Sequence, residues 1–202
     1  IDTLRQGKVD DPERRQAYLA QMGRETHRLS RLAENILALG RLQRSPPSGD
    51  ETWSASQVWT QVQDQLLPEL SERVVLHSAE QAKEWVGRCD PDLIQIACLN
   101  LIDNALKYSP DEAQVDVWIE REENRIRFRV EDRGPGIPRS QRDRVFEWFY
   151  RTPLTKEQQQ AAGTGLGLAL VREVAERCGG QVEVGKRPGG GARFVFSIPI
   201  AG

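Results

Sequence analysis

The chain has 202 residues, of which 38% are hydrophobic and 29% charged, and its formal net charge is −2. This composition is ordinary for a globular protein of one or two domains with a real core, and the near-neutral charge argues against a general nucleic-acid-binding protein. Because no apolar run approaches the ~18–20 residues that a membrane-spanning helix needs, we expect no membrane contact by this stretch of chain.

Three cysteines are scattered along the chain and form no pair with the spacing of a metal site. They are Cys89, Cys98 and Cys178. An odd, scattered set of this kind is typical of reduced thiols, which predicts a cytoplasmic location.

The first predicted element is a long amphipathic helix over residues 12–44. The apolar positions that recur along it at heptad spacing are Met22, Leu29, Leu32, Ile36 and Leu39. Such a narrow seam requires a partner helix, so residues 1–44 are predicted to be part of a helical hairpin. The sequence SPPSGD at residues 45–50 predicts a linker. Since the chain starts without methionine, we expect it to belong to a longer protein whose first hairpin helix is mostly missing here.

Residues 51–202 show a different pattern, in which helices alternate with strands. Predicted helices contain Val58, Val62, Leu66 and Leu70, run from Asp90-Pro91 to about Lys107, and run from about Leu166 to Cys178. Predicted strands lie at residues 73–77, 114–122, 125–132, 181–186 and 192–200. The order predicts an α+β domain, a two-layer α/β sandwich with a mixed, largely antiparallel sheet and helices on one face.

Polar residues on the second of these helices form the first of four short blocks that carry chemistry. In NLIDNALKYSP, residues 100–110, Asn100, Asn104 and Lys107 are spaced by four and three and share one helix face. An amide oxygen is a hard ligand for Mg²⁺, and a lysine meets phosphate as a point charge. Taken alone, the same spacing also fits a polar helix face in water.

The other three blocks follow in order along the chain. They are EDRGPGIP at residues 131–138, VFEWFYR at 145–151 and GTGLGLAL at 163–170. Asp132 can accept a hydrogen bond from an exocyclic amino group, Arg151 can reach a phosphate, and glycines before a helix can expose amides to an anion. Each block alone also fits a plain turn, a set of core aromatics or an ordinary glycine-rich loop.

Taken in order, the four blocks resemble the N, G1, F and G2 boxes of the sensor histidine kinases, within the Bergerat-type ATP-binding superfamily. The resemblance spans roughly residue 53 to the end of the chain, and the helical part fits the same family. It implies three regions: a partial dimerisation hairpin at 1–44, a linker at 45–50 and a catalytic ATP-binding domain at 51–202. It also implies ATP and Mg²⁺ as the bound groups.

The resemblance further implies roles for individual residues. Asn104 would hold Mg²⁺, Asn100 and Lys107 would contact phosphate or order its surroundings, and Arg151 would approach the γ-phosphate. Asp132 would bind the adenine amino group. The remaining ATP-binding positions would be Tyr108, Gly134, Gly136, Ile137, Gly163, Thr164, Gly165, Leu166, Gly167 and Leu168. Residues 152–162 would form a mobile lid.

One position separates phosphotransfer from hydrolysis. Related ATPases and anti-sigma serine kinases carry a glutamate four residues before the Mg²⁺ asparagine, where it serves as a general base. Here that position is Asn100, which cannot accept a proton. A neutral imidazole is already nucleophilic, so transfer of the γ-phosphoryl to a histidine is implied. An ATPase, a serine kinase and a non-catalytic dimerising module remain as alternatives.

The chain contains two histidines, and neither fits the acceptor motif of the family. His27 is followed by RLSRL, without the acidic residue and the Thr-Pro or Asn-Pro that the motif carries, and His77 lies near a strand end. The sequence RTPLT at residues 151–155 imitates the end of that motif without a preceding histidine. We therefore expect the acceptor to lie upstream of Ile1, a homodimer through the hairpin, and a response-regulator receiver domain as partner.

Overall fold

A computed structural model describes residues 11–44, 52–78, 80–151 and 164–201. The chain divides into two compact units, Ile1–Leu37 and Ala38–Gly202. The predicted linker at residues 45–50 lies outside the described residues, so the predicted domain boundaries stay a prediction.

The long helix α1 covers Pro12–Arg44, as its apolar repeat predicts. Its start is fixed by Asp11, whose side chain accepts a hydrogen bond from the amide of Glu13 at 3.0 Å. Leu29 and Ile36, two positions of the predicted seam, are each more than half exposed. An apolar seam exposed in this way is the feature expected of a helix that packs against another helix.

The larger unit is built on a five-stranded sheet. Its strands are β2 (Val74–Ser78), β4 (Val115–Glu122), β5 (Arg125–Glu131), β6 (Gln181–Lys186) and β7 (Ala192–Pro199). The spatial order is β2-β4-β5-β7-β6, in which β2 pairs with β4 in parallel and all other pairs are antiparallel. The predicted mixed sheet is confirmed.

Helices cover one face of this sheet and bury its alternate residues. They are α2 (Ala55–Asp64), the short α3 (Pro68–Ser71), α4 (Pro91–Tyr108) and α5 (Gly167–Arg177). Phe128 on β5, Phe196 on β7 and Ile102 on α4 are fully buried in one hydrophobic core. The two-layer sandwich is therefore as predicted, with α4 packed against β4, β5 and β7, and α5 against β6 and β7.

Local signals in the sequence account for where the helices begin. Ser54 and Gln57 form a reciprocal capping box at the start of α2. Asp90 accepts a hydrogen bond from the amide of Asp92 at 2.9 Å, and Pro91 occupies the first turn of α4. Since α4 carries the polar residues of the first block, these caps set the position of the site.

Two features of the domain differ from the sequence prediction. The single helix expected through Leu66 and Leu70 ends at Asp64, because Pro68 starts a separate short helix. A two-stranded antiparallel sheet of β1 (Thr52–Ser54) and β3 (Val86–Arg88) was not predicted. Strands of three residues are too short to show an alternating pattern.

The cysteines also differ from the prediction. Cys89 and Cys178 form a disulfide with their Cα atoms 5.5 Å apart, and Cys98 is a free, buried thiol. Burial raises the pKa of the Cys98 thiol above its ordinary value. The prediction of three reduced thiols is wrong for Cys89 and Cys178. They are separated by 89 residues in the chain, and only the fold brings the end of β3 next to the end of α5.

Within the described ranges, no helix combines the length and apolarity needed to cross a membrane.

Candidate functional site

The polar face of α4 forms one wall of the site. Asn100, Asn104 and Lys107 are all half-buried along it, while the opposite face of the helix is packed into the core. Asn100 donates its Nδ2 hydrogen to the carbonyl of Ile96 at 2.8 Å, one turn earlier. This bond fixes the amide rotamer, so that the position where related ATPases carry a catalytic glutamate holds a side chain anchored to its own helix.

The end of α4 brings a cation next to an aromatic ring. Lys107 Nζ donates to the Tyr108 hydroxyl at 3.2 Å and lies 4.6 Å from the ring centroid. Burial raises the pKa of the Tyr108 hydroxyl, and the positive charge of Arg151 partly opposes that rise. Arg151, from the third sequence block, is therefore within electrostatic reach of this end of the helix.

Asp132 is the most buried charged side chain of the site, with 3% of its surface exposed. Its Oδ1 accepts hydrogen bonds from the amides of Gly134 and Ala192, both at 2.9 Å. Burial raises the pKa of the carboxyl, and the two amide bonds act against that rise. Because both bonds that the described residues make to this carboxylate go to Oδ1, Oδ2 is the atom left to accept a hydrogen bond from a ligand.

The glycines after Asp132 allow the loop to lie close to the helix and to the neighbouring turn. A Cβ on Gly134 would lie 2.6 Å from the carbonyl oxygen of Tyr108 at the end of α4. A Cβ on Gly136 would lie 3.0 Å from the carbonyl oxygen of Gly191. Ile137 packs against the core at the end of this loop. Glycine at position 134 thus lets the loop after Asp132 lie beside the end of α4, and glycine at position 136 lets it lie beside Gly191.

The start of α5 closes the site on the other side of α4. A Cβ on Gly167 would lie 2.5 Å from Asn100 Oδ1, so a side chain here would force the Asn100 amide or the first turn of α5 to shift. Leu166 occupies the cap position, and among the described residues no side chain caps the first amides of α5. Uncapped amides at the start of a helix favour the binding of an anion.

The residues just before α5 connect it to the aromatic block. Gly165 accepts a hydrogen bond from the amide of Phe149 at 3.0 Å, and Thr164 Oγ1 accepts one from the amide of Leu166 at 3.4 Å. Leu168 packs against the core. The predicted lid at residues 152–162 and the predicted site residue Gly163 lie outside the described residues.

The structure thus brings most predicted residues together around α4. Gly167 lies close to Asn100 and Gly134 close to Tyr108, since a Cβ at these glycines would lie 2.5 Å and 2.6 Å from those residues. Lys107 donates a hydrogen bond to Tyr108. Asn104 lies on the same helix face, one turn after Asn100.

Two supporting features were missed from the sequence. Ser109 Oγ accepts a hydrogen bond from the amide of Arg133 at 3.0 Å, which ties the loop after β5 to the end of α4. Ala192, at the start of β7, supplies one of the amides that hold Asp132. The run PGGG at residues 188–191 was a signal for a close backbone approach, although the sequence showed only a turn.

A known protein family matches the part of the chain that contains this site. Residues 89–202 match the family described as histidine kinase-, DNA gyrase B- and HSP90-like ATPase. The chain belongs to this family. The match covers all the site residues listed above, from the polar face of α4 to the last strand. The catalytic ATP-binding fold predicted from the four blocks is therefore confirmed.

Individual relatives place the chain within the histidine kinase branch of the family. It is 32% identical over 194 residues to the sensor-like histidine kinase SenX3 of Mycolicibacterium smegmatis, covering 95% of this chain and 50% of SenX3. The chain carries the catalytic ATP-binding domain of a two-component sensor histidine kinase. It spans half or less of the curated relatives it matches here, such as SenX3.

Two solved structures share the fold. The mycobacterial sensor histidine kinase MprB matches with a TM-score of 0.64 at 27% identity, over 74% of this chain and 97% of that one. Full-length ShkA in complex with AMPPNP matches with a TM-score of 0.67 at 28% identity, over 92% of this chain and 39% of that one. The second match extends over most of α1 as well as the catalytic domain.

Proposed function

We propose that the site binds Mg·ATP and transfers its γ-phosphoryl to a histidine that lies outside this chain. The observation that carries the proposal is the buried Asp132, whose Oδ1 is held by two backbone amides while Oδ2 is left for a ligand. A donor in the plane of a purine, such as the adenine amino group, complements this carboxylate oxygen. Binding of the ATP analogue AMPPNP by ShkA supports the same choice of ligand.

The adenine end of the site would be formed by the loop after β5. Gly134 and Gly136 leave room beside Asp132, and Ile137 supplies an apolar contact. Tyr108, half-buried at the end of α4, would line the pocket. A hydrogen bond from the amino group to Asp132 would distinguish adenine from guanine, because guanine presents a carbonyl at the equivalent position. A buried acceptor that faces another acceptor is left unpaired, and this disfavours the wrong base.

The phosphate end would be formed by α4 and the start of α5. Lys107 and Arg151 would neutralise phosphate charge, and Asn104 would supply an amide oxygen to Mg²⁺, a hard cation that prefers oxygen ligands. When bound, Mg²⁺ would offset the negative charge of the phosphate oxygens. The backbone near the start of α5 would contact phosphate through Gly163, Thr164, Gly165, Leu166, Gly167 and Leu168. Residues 152–162 would act as the lid.

The composition of the α4 wall supports phosphotransfer over hydrolysis. Asn100 cannot act as a general base, and its amide is already bonded to Ile96. The protein would therefore contribute positioning and charge stabilisation by Lys107 and Arg151, while the acceptor imidazole supplies its own nucleophilic nitrogen. The γ-phosphoryl moves to that nitrogen and ADP is released.

The acceptor histidine is proposed to lie elsewhere in a longer protein. His77 pairs with Asp116 at 3.0 Å and stacks on Trp118 with ring centroids 4.6 Å apart, so its imidazole is engaged on the outer face of the sheet. The side chain of His27 lies outside the described residues, and its neighbours in sequence lack the acceptor motif. We further propose a homodimer through the exposed seam of α1, a response-regulator receiver domain as partner, and a cytoplasmic location.

A transfer assay tests the proposal. The chain is mixed with Mg·[γ-³²P]ATP and a separately purified hairpin of SenX3, and labelled hairpin is expected, with a bond that is stable in base and labile in acid. A hairpin whose acceptor histidine is replaced by alanine is the control. Release of inorganic phosphate without transfer, or label on serine, would instead support an ATPase or a serine kinase.

A further inference from the structure

The turn between β6 and β7 lies outside the four sequence blocks, yet it backs the adenine end of the site. Arg187 donates its amide to the carbonyl of Gly191 at 3.1 Å, and Gly190 donates to the carbonyl of Arg187 at 3.2 Å. Gly189, Gly190 and Gly191 have φ values of +86°, +104° and +97°, a region that side chains disfavour. The glycine run thus specifies one particular turn shape.

This turn lies directly against the backbone of Asp132. A Cβ on Gly191 would overlap the carbonyl oxygen of Asp132. The next residue, Ala192, exchanges two hydrogen bonds with Asp132: it accepts from the Asp132 amide at 3.0 Å and donates to Asp132 Oδ1 at 2.9 Å. On the other side, the carbonyl oxygen of Gly191 faces Gly136. The placement of the Asp132 carboxylate therefore depends on where the turn lies.

Arg187 links this turn to the neighbouring strand. Its Nη1 donates to the carbonyl of Gly190 at 3.4 Å, and its Nε lies 3.4 Å from Glu131 Oε2, an ion-pair distance without hydrogen-bond geometry. Glu131 is 5% exposed, and its Oε1 accepts from Arg129 at 2.8 Å and from Arg193 at 2.5 Å. A carboxylate held by guanidinium groups from β5 and β7 is a fixed anchor for Arg187.

We propose that Arg187, anchored on Glu131, is a positioning residue for adenine recognition, which holds the 187–191 turn against Asp132 and Gly136. The inference rests on the proposed function, since it assumes that Asp132 is the acceptor for the adenine amino group. Neither Arg187 nor Glu131 touches the base. Their effect on nucleotide choice passes through the position and the charge of Asp132.

The charges around Asp132 give this role a signature in pH. Burial raises the pKa of Asp132, Arg187 on the turn and the amides of Gly134 and Ala192 lower it, and Glu131 on β5 raises it. Because the ionised carboxylate is the better acceptor, ADP affinity falls as the pH drops through this pKa. Loss of the Arg187 charge moves that fall to higher pH, and loss of the Glu131 charge moves it to lower pH.

The test compares variants of the full chain by calorimetric titration with ADP and GDP between pH 5 and pH 8. Arg187→Met is expected to weaken ADP binding about tenfold at pH 7, to lower the preference for ADP over GDP, and to move the acid loss of affinity to higher pH. Arg187→Lys is expected to restore most of the affinity. Glu131→Gln is expected to move the acid loss to lower pH.

Glu120→Gln is the matched control, because Glu120 also pairs with Arg129, at 2.6 Å, but lies opposite Arg127, which precedes Glu131 by four residues on β5. The proposal is overturned if Arg187→Met and Glu131→Gln match this control in affinity, base preference and pH midpoint. If circular dichroism shows that Arg187→Met does not fold, the comparison of Glu131→Gln with Glu120→Gln tests the proposal. The quantity compared is the pH midpoint of the loss of ADP affinity. A wild-type chain that binds neither nucleotide would contradict the proposed function itself.

Discussion

Asp132 combines deep burial with a proposed role in adenine recognition that needs its charge. Burial raises the pKa of this carboxyl above the value of an exposed aspartate. A carboxyl whose pKa is higher in the folded chain than in the unfolded chain destabilises the fold as the pH rises through that folded pKa. The ionised form of this carboxyl therefore lowers the stability of the fold, which is common at sites selected for binding.

Replacing Asp132 by asparagine is expected to weaken ADP binding about tenfold to a hundredfold. The new side chain can still accept from Gly134 and Ala192 through Oδ1, so its Nδ2 takes the place of Oδ2 and presents a donor to the adenine amino group. Calorimetric titration with ADP and with GDP measures the two affinities. The ratio of the two affinities is expected to shift in favour of GDP.

Asp143→Asn is the control for Asp132→Asn, because the Asp143 carboxylate is exposed. This variant is expected to bind ADP like the wild type. Unchanged ADP affinity of Asp132→Asn in a folded chain would contradict the assignment of Asp132 to adenine.

Asn104 is expected to act only when the metal is present. Asn104→Ala is expected to weaken Mg·ATP binding about tenfold, because an oxygen ligand is lost, and to leave ADP binding in EDTA unchanged. Titrations with and without Mg²⁺ measure the difference, with Asn124→Ala in the exposed β4–β5 turn as control. An equal loss with and without the metal would show that Asn104 has a different role.

At the level of single residues, ordered blocks in the sequence predicted which polar groups the structure brings together around α4. The spacing of Asn100, Asn104 and Lys107 by itself placed them on one helix face. The support behind Asp132 could not be predicted in the same way. Ala192 reaches it through strand pairing, and Arg187 through its ion pair with Glu131, and neither contact leaves a local pattern in the sequence.

The packing of α5 on α4 depends on one small residue. Gly167→Ala is expected to lower the free energy of unfolding by about 1–3 kcal/mol, because its Cβ would lie 2.5 Å from Asn100 Oδ1 and would displace the anchored Asn100 amide or the start of α5. The same displacement is expected to weaken ATP binding about tenfold. Urea unfolding and calorimetry measure the two effects.

Gly185→Ala is the matched control for Gly167→Ala, since a Cβ there has open space around it and the backbone is not in the left-handed region. It is expected to change stability by less than about 0.5 kcal/mol. If the two alanine variants behave alike, the close approach of α5 to α4 is not what the glycine provides.

The disulfide connects elements that the sequence treats as unrelated. It closes 89 residues between the end of β3 and the end of α5, and a cross-link of that span is expected to contribute about 2–4 kcal/mol to the free energy of unfolding. Urea unfolding with and without reductant measures this contribution. A Cys89→Ser, Cys178→Ser double variant should show no effect of reductant.

A thiol count in denaturant without reductant is expected to give one thiol, Cys98. A count of three in the oxidised protein would contradict the cross-link and would restore the prediction of reduced thiols.

At the level of elements, periodicity predicted the strong helices and the long strands. The helix α1, the helix α4 and the four long strands all appear within about two residues of their predicted bounds. Where the prediction failed, the elements were short or interrupted. The strands β1 and β3 have three residues each, and Pro68 splits a continuous apolar repeat.

At the level of the whole molecule, one domain supplies the nucleotide site, and the chain spans half of the relative SenX3. The site is assembled from α4, the loop after β5, the start of α5 and the β6–β7 turn. These segments are distant in sequence, and the sheet order β2-β4-β5-β7-β6 brings them together. The proposed function therefore follows from the fold as a whole rather than from any one block.

Native mass spectrometry of the chain with Mg·ATP tests the central claim most directly, because one spectrum separates bound nucleotide from covalent phosphate. We predict a complex with one ATP and, after mild activation, a polypeptide of unchanged mass. Absence of any nucleotide complex, or a covalent phosphoryl group that His27→Ala removes, would contradict the account.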